Sequence, residues 1–162
     1  MNDRYIGTEL EIFAAASNWK SYIAQKIGPF IDGRVLEVGA GIGANTRVLY
    51  SARVSEWTCL EPDPDLAGRI KWPRKHGGLP RCCRVVNGTV AALESSGPFD
   101  TILYLDVLEH IANDRAELAC AARLLSPQGH PSCSARRTSF CSADLTQLSA
   151  ITDVIIGRCC EL

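Results

Sequence analysis

The sequence predicts an α/β fold in which a parallel sheet carries helices on both faces. The main observation is residues 35–45, where an apolar strand runs into a glycine-rich loop and then into a helix. The second is that short apolar segments alternate with amphipathic helical ones, which is typical of a parallel sheet. The third is that an acidic residue follows two of the strands, at Glu61 and Asp106. Ligands bind at the carboxyl ends of parallel strands, so these positions mark a candidate site.

The elements of the first half follow from hydrophobic periodicity and from helix stop signals. Apolar side chains at helical spacing predict a first helix, which Gly28 and Pro29 end. Two prolines, Pro62 and Pro64, separate the second strand from the helix after it. In chain order we predict a helix over residues 10–27, a strand over 34–38, a helix over 44–52, a strand over 57–60 and a helix over 65–72.

The second half continues this alternation. Proline and glycine mark a basic loop over residues 71–81, which we interpret as a solvated segment. Residues 99–105 form the clearest strand, because they are apolar and rich in β-forming side chains. In chain order we predict a strand over 83–87, a helical turn over 89–93, a strand over 99–105, a helical start over 107–111, an amphipathic helix over 114–125 and a turn over 126–129.

The glycine spacing of the first loop leaves two ligands open. Gly39, Gly41 and Ala44 fit the dinucleotide pattern G-x-G-x-x-G/A. Gly39, Gly41 and Gly43 after Glu37 fit the E-x-G-x-G-x-G pattern of enzymes that use S-adenosylmethionine (SAM). A dinucleotide brings an anionic pyrophosphate to such a loop, whereas SAM brings a sulfonium and an ammonium, which a carboxylate attracts. Glu37 therefore favours SAM.

Four segments in one consistent order resemble the class I SAM-dependent methyltransferases. They are residues 35–45, 60–63, 99–111 (with D-V-L-E-H at a strand end) and 124–129. The resemblance implies a Rossmann-like fold, SAM as the cofactor and methyl transfer as the activity. It implies that Glu61 binds the ribose hydroxyls and that Asp106 borders the methyl-donor pocket, with the segment after the third strand near the adenine. The cofactor-binding residues expected on this basis are Glu37, Gly39, Ala40, Gly41, Gly43, Glu61, Pro62, Gly88, Thr89 and Asp106.

The segment with Asp106, Glu109 and His110 has more than one interpretation. Asp106 also fits the N-cap of a helix that begins at Val107. The spacing D-x-x-E-H resembles a metal site of some methyltransferase relatives, but the further histidine of that site has no convincing counterpart, so we expect no metal. SAM is an activated methyl donor, so the protein mainly aligns the reacting groups. If the acceptor is a hydroxyl, His110 is the candidate general base from its position.

Composition and charge indicate an ordinary globular domain. The chain has 162 residues, 46% of them hydrophobic and 22% charged, and a net charge of −1. Such a charge does not steer the chain to nucleic acid or to an anionic membrane, so we expect a small-molecule acceptor and neither of those partners. We recognise no signal peptide and no membrane-spanning run, which predicts a cytoplasmic location. The eight cysteines form no C-x-x-C pair and are expected to be free thiols.

The sequence departs from the family pattern after Gly129. We divide the chain into a SAM-binding core, 1–129, and an atypical tail, 130–162, whose first residues lack the alternation of a fifth strand. A frameshift explains this: if residues 130–135 are encoded CAT CCG TCG TGC TCG GCC, a displaced frame reads S-V-V-L-G. The same frame over 149–155 contains S-H-H-R-R-Y, which resembles an element of many relatives. The alternative is a divergent tail. With the fifth to seventh strands missing or altered, we expect an open sheet edge, lower stability and an incomplete acceptor pocket.

Two other functions stay open at this point. An NAD(P)-linked oxidoreductase is disfavoured by Glu37 and by the D-V-L-E-H strand end. A SAM-binding or scaffold remnant without turnover is favoured by the altered C-terminal segment.

Overall fold

The strands that the structure describes form one parallel sheet. The computed structural model describes residues 17–71, 80–93, 96–134 and 155–156. The strands are β1 (Gly33–Val38), β2 (Val54–Glu61), β3 (Cys83–Asn87), β4 (Phe99–Leu105), β5 (Leu125–Ser134) and β6 (Ile155–Ile156). Their spatial order is β3-β2-β1-β4-β5-β6, and all neighbours run parallel. The order reverses between β1 and β4, and such a switch point is where ligands bind in this architecture.

Helices connect the strands and cover both faces of the sheet. Within the described residues, the α-helices are α1 (Ser17–Ile27), α2 (Thr46–Leu49), α3 (Pro64–Lys71) and α4 (Asp114–Arg123). Shorter 3-10 helices lie at Gly28–Phe30, Val90–Leu93 and Leu108–His110. α4 begins where the side chain of Asn113 accepts a hydrogen bond from the backbone N–H of Ala116, at 3.1 Å. Such a cap satisfies one of the donors that a helix start leaves open.

Two hydrophobic cores lie on opposite faces of the sheet, because successive side chains of a strand point to opposite sides. Leu36 of β1 packs in the cluster that contains Tyr104 of β4 and Leu118 of α4. Val35, its neighbour in sequence, belongs to the other cluster, with Trp57 of β2 and residues of α1, α2 and α3. The predicted parallel sheet with helices on both faces is therefore confirmed.

The first four strands lie where the sequence predicts them, and β3 and β4 have the predicted bounds. The helix predicted over residues 44–52 is wrong in length, because α2 covers Thr46–Leu49 alone. Tyr50 after it has extended backbone angles, φ −60° and ψ 134°. The chain must leave the helix there because β2 begins at Val54, three residues earlier than predicted, in order to pair with β1 at Gly33.

The turn predicted over residues 126–129 and the missing strand after it are corrected by β5. Its backbone pairs with β4 from Thr101 opposite His130 to Leu105 opposite Ser134. The register shifts between Phe99 and Thr101, so residues 126–129 lie in an irregular part of the strand rather than in a turn between elements. A ladder is made by backbone groups, so a strand without apolar alternation still pairs. The edge of β4 predicted to be open is therefore covered, and β5 is altered in sequence rather than missing.

Several predicted segments lie outside the described residues. These are the start of the first helix (residues 10–16), most of the basic loop (72–79) and the tail at 135–154 and 157–162. Among the helices that the structure describes, none is both long and apolar enough to cross a membrane.

Candidate cofactor site at the switch point

The glycine loop between β1 and α2 is built from left-handed backbone. Gly39, Gly41 and Gly43 have φ angles of 67°, 56° and 72°, a region that side chains with a Cβ rarely adopt. Gly39 has a second reason to be glycine, because a Cβ there would lie 2.5 Å from Cγ2 of Val107. The loop therefore rests directly on the residue that follows Asp106, after the end of β4.

The carboxylate of Glu61 joins this loop to the end of β2. Its Oε2 accepts a hydrogen bond from the backbone N–H of Gly41 at 2.7 Å, and its Oε1 accepts one from the N–H of Asp63 at 2.9 Å. Glu61 is 5% exposed. Burial raises its pKa, and the two backbone hydrogen bonds oppose that shift because they stabilise the charged form. An acid about twenty residues after the loop was expected here, and the structure brings it into contact with the loop.

Glu37 lies beneath the loop, inside the protein. It is 1% exposed, and its Oε2 accepts hydrogen bonds from the hydroxyl of Thr46 and, at 2.9 Å, from the indole N–H of Trp57. Burial raises the pKa of Glu37 to about 7, although the two hydrogen bonds oppose the shift; the nearby Glu61 raises it slightly further. The sequence pattern suggested that this charge faces the ligand. The geometry instead gives it two protein donors, and neither Thr46 nor Trp57 was expected at the site.

The ends of β2 and β3 are held together beside Glu61. The side-chain amide of Asn87 donates to the carbonyl oxygens of Glu61 at 2.8 Å and Pro62 at 2.9 Å. The backbone N–H of Gly88 donates to the same Glu61 carbonyl at 3.1 Å. Pro62 and Gly88 thus adjoin Glu61, while Thr89 is the exposed residue that follows Gly88.

Asp63 starts α3 and thereby fixes the turn after Glu61. Its Oδ1 accepts hydrogen bonds from the N–H groups of Asp65 at 2.8 Å and Leu66 at 3.2 Å, which is an N-cap. Pro64 follows as the first helical residue, where its missing N–H has no cost. Residues 61–64, with the sequence E-P-D-P, therefore end β2 and start α3.

The helix start after β4 differs from the predicted capping by Asp106. The 3-10 helix that follows has Val107, not Asp106, in its N-cap position, so capping by Asp106 is wrong. Asp106 is half-buried and has a φ of 55°, a left-handed conformation that aspartate tolerates better than most residues. His110 lies four residues further on and is exposed. Its backbone N–H donates to the carbonyl of Val107 at 2.9 Å.

A half-open cleft lies beside this strand end. It lies between α1, which contributes Trp19, Lys20 and Ile23, and the segment that contains Leu105 and Asp106. The walls also include residues at the start of α2. Ala40 is buried at 6% exposure on the loop, where its N–H donates to the carbonyl of Leu60 at 3.1 Å, and it does not line this cleft.

Metal-binding geometry is absent from the part of the chain that the structure describes, since no three His, Cys, Asp or Glu side chains converge there. Four cysteines in the same residues are free thiols: Cys59, Cys82, Cys83 and Cys120.

Comparison with known proteins agrees with this architecture. The family model described as a methyltransferase domain matches residues 11–156, most of the chain. The chain belongs to this methyltransferase family. The resemblance to class I SAM-dependent methyltransferases and the Rossmann-like fold are thereby confirmed.

Individual relatives match this methyltransferase domain at modest identity or over only part of its length. It is 32% identical over 111 residues to the ubiquinone biosynthesis O-methyltransferase of Xylella fastidiosa, a match that covers 67% of the chain and 43% of that enzyme. It is 45% identical over 49 residues to the ribosomal RNA small subunit methyltransferase A of Bordetella pertussis, a match that covers 30% of the chain and 18% of that enzyme. The N-methyltransferase NodS from Bradyrhizobium japonicum, solved in complex with S-adenosyl-L-homocysteine, superposes with a TM-score of 0.58 at 18% identity, covering 70% of the chain and 59% of NodS. The methyltransferase domain spans less than half the length of these curated relatives.

Proposed function

We propose that this chain binds SAM at the glycine loop and transfers its methyl group to a small-molecule acceptor. The observation that carries the proposal is the contact between Glu61 and Gly41, 2.7 Å long, at the switch point of the sheet. It puts a carboxylate, a hydrogen-bond acceptor for the two hydroxyls of a ribose, against a loop whose backbone a ligand can approach closely. The solved structure of NodS with S-adenosyl-L-homocysteine supports the same cofactor class.

The residues fit SAM in a defined order along the sheet edge. Glu61 binds the ribose hydroxyls, and Pro62, Gly88 and Thr89 border the adenine. The loop residues Gly39, Ala40, Gly41 and Gly43 lie under the ribose and methionine, and Asp106 borders the methyl group. Glu37 supports the loop from inside the protein, because it accepts hydrogen bonds from Thr46, which follows the loop, and from Trp57. When bound, SAM supplies an activated methyl group on a sulfonium, so the chain's own task is to orient it and to exclude water.

His110 is the proposed general base for a hydroxyl acceptor. The Xylella fastidiosa relative is named as an O-methyltransferase, which supports a hydroxyl as the methylated group. His110 is exposed at the same sheet edge as Asp106, so it can exchange a proton with solvent after taking it from an acceptor. We expect His110→Ala to lower kcat with little change in the affinity for S-adenosylhomocysteine. An equal loss of both would assign His110 to cofactor binding instead.

The proposal is tested by calorimetric titration of the purified chain with S-adenosylhomocysteine, with NAD as the competing cofactor class. We expect binding of S-adenosylhomocysteine alone, and a loss of at least about tenfold in Glu61→Ala, or about 1.4 kcal/mol. Asp32→Ala is the matched control, because Asp32 is an exposed acid just before β1, at the other end of the sheet. Unchanged affinity in Glu61→Ala, or tighter binding of NAD, would contradict the assignment.

A further inference from the structure

The outer face of α1, with the 3-10 helix that follows it, carries aromatic side chains where a surface helix usually carries polar ones. Trp19, Tyr22 and Phe30 are 40%, 39% and 49% exposed. Trp19 and Tyr22 lie about one helical turn apart, and their rings stack with centroids 5.9 Å apart. The inner face of the same helix is apolar too, and Ile23 and Ile27 pack there in the core. Exposed apolar surface that the core does not use marks an interaction site.

Three exposed cations lie beside these rings. The Nζ of Lys26 lies 5.6 Å from the centroid of the Tyr22 ring. The guanidinium of Arg53 donates a hydrogen bond to the carbonyl of Pro29 at 2.8 Å, which holds it at the end of α1. Arg47 lies on α2, which packs beside α1. The α1–α2 face, as we call this surface, consists of Trp19, Tyr22, Lys26, Phe30, Arg47 and Arg53.

The α1–α2 face is positively charged, although the chain as a whole is not. Residues 17–31 and 39–55, which contain this face, have two lysines and two arginines but no aspartate or glutamate. The net charge of −1, from which no membrane partner was expected, averages over this asymmetry. A surface of one sign attracts a partner of the opposite sign over about one Debye length, roughly 10 Å. The partner of this face is therefore expected to be anionic.

The chemistry of the face favours anionic lipid over other anionic partners. Tryptophan and tyrosine rings next to lysine or arginine are typical of the surface of a bilayer. A nucleic acid also offers phosphates, but its bases stack on a free aromatic face. Trp19 lies one turn before Tyr22 and Lys26 one turn after it, so both faces of the Tyr22 ring are occupied. A second copy of the chain, bound through the same face, would bring like charges together.

We propose that the α1–α2 face docks the chain on an anionic lipid surface. The three rings enter the headgroup region, and the three cations contact lipid phosphates. Each lysine or arginine near such a surface strengthens binding by about fivefold. The docking does not depend on the proposed methyl transfer, so its test needs neither cofactor nor acceptor.

The test is co-sedimentation of the purified chain with vesicles of phosphatidylcholine alone, and with vesicles of phosphatidylcholine and phosphatidylglycerol in equal parts. We expect binding to the second kind only, and weaker binding in high salt. Lys26→Glu should weaken this binding at least about fivefold, and Phe30→Ser should weaken it without a change of charge. Arg115→Glu is the matched control, because Arg115 is an exposed cation of α4, on the other side of the sheet, and its reversal changes the net charge equally. Far-ultraviolet circular dichroism checks that each variant is folded.

Absence of wild-type binding to the anionic vesicles would overturn the proposal. So would an equal loss of binding in Arg115→Glu and Lys26→Glu, because the net charge alone would then be responsible. Unchanged binding in either Lys26→Glu or Phe30→Ser would assign the attraction to another segment, such as the basic residues 71–81. If the vesicles are not bound, binding of an RNA oligonucleotide that Lys26→Glu abolishes would assign the face to nucleic acid. A dimer in analytical ultracentrifugation that Phe30→Ser dissociates would then assign it to a second copy.

Discussion

The carboxylate of Glu37 accepts a hydrogen bond from the hydroxyl of Thr46, and this contact closes the glycine loop from inside the protein. Glu37 is near the end of β1 and Thr46 is the first residue of α2, so the two side chains bracket the loop between them. Both residues are buried, at 1% and 0% exposure. The loop conformation therefore depends on a buried polar pair as well as on its glycines.

Removal of the Thr46 hydroxyl is expected to destabilise the fold. Thr46→Val keeps the shape of the side chain but leaves the buried carboxylate of Glu37 with one fewer donor, at a cost of about 1–3 kcal/mol. Urea denaturation measures the free energy of unfolding. Thr46→Ser is the matched control, because it retains the hydroxyl and loses a methyl group. If the serine variant is as unstable as the valine variant, the methyl packing and not the hydrogen bond is responsible.

Glu37 is expected to make the stability depend on pH below neutrality. Its pKa rises on folding from the ordinary value of 4.5 to about 7, so between these values the folded protein binds a proton that the unfolded chain releases. The contribution of Glu37 to stability is therefore complete below pH 4.5 and is lost as the pH rises toward 7, with a slope of at most about 1.4 kcal/mol per pH unit.

Glu37→Gln isolates this contribution from that of other acids, such as Glu61. The variant is uncharged at every pH, so its unfolding free energy should lack the fall that Glu37 causes in the wild type. Between about pH 5 and about pH 7.5, the free energy of unfolding of the wild type should therefore fall relative to that of the variant, as measured by urea denaturation. A difference that stays constant over this range would show that Glu37 titrates normally.

The sequence predicts those features of the candidate site that depend on the course of the backbone. Strand ends and left-handed glycines are visible in the spacing of Gly39, Gly41 and Gly43 and in the acid at Glu61. The hydrogen-bond partners of Glu37 were not predictable, because Trp57 comes from another strand and meets it through the register of β1 and β2. β5 was missed for a related reason: its pairing is made by the backbone, which side-chain periodicity does not report.

Gly39 is expected to tolerate no side chain. Gly39→Ala places a Cβ 2.5 Å from Val107 at a φ of 67°, so the clash and the backbone strain add to more than about 2 kcal/mol. Gly68→Ala is the control, since Gly68 lies in α3 and a methyl group added there would meet nothing within 4 Å; this variant should gain about 0.5–1 kcal/mol. The double variant Gly39→Ala/Val107→Ala should recover part of the loss in thermal or urea denaturation. No recovery would assign the whole effect to the backbone angle.

Different substitutions of Asp106 are expected to change the stability by different amounts but the ligand affinity by a similar factor. Its φ of 55° strains a residue with a Cβ, so Asp106→Gly should be about 1 kcal/mol more stable than Asp106→Ala, in which the strain stays. Both variants remove the carboxylate from the cleft, so both should weaken S-adenosylhomocysteine by a similar factor in calorimetric titration. Asp106→Asn keeps the shape and the tolerance for this backbone angle, so it reports the loss of charge alone. Equal stability of the glycine and alanine variants would mean that the backbone at this strand end relaxes without strain, and intact binding in all three would remove Asp106 from the proposed site.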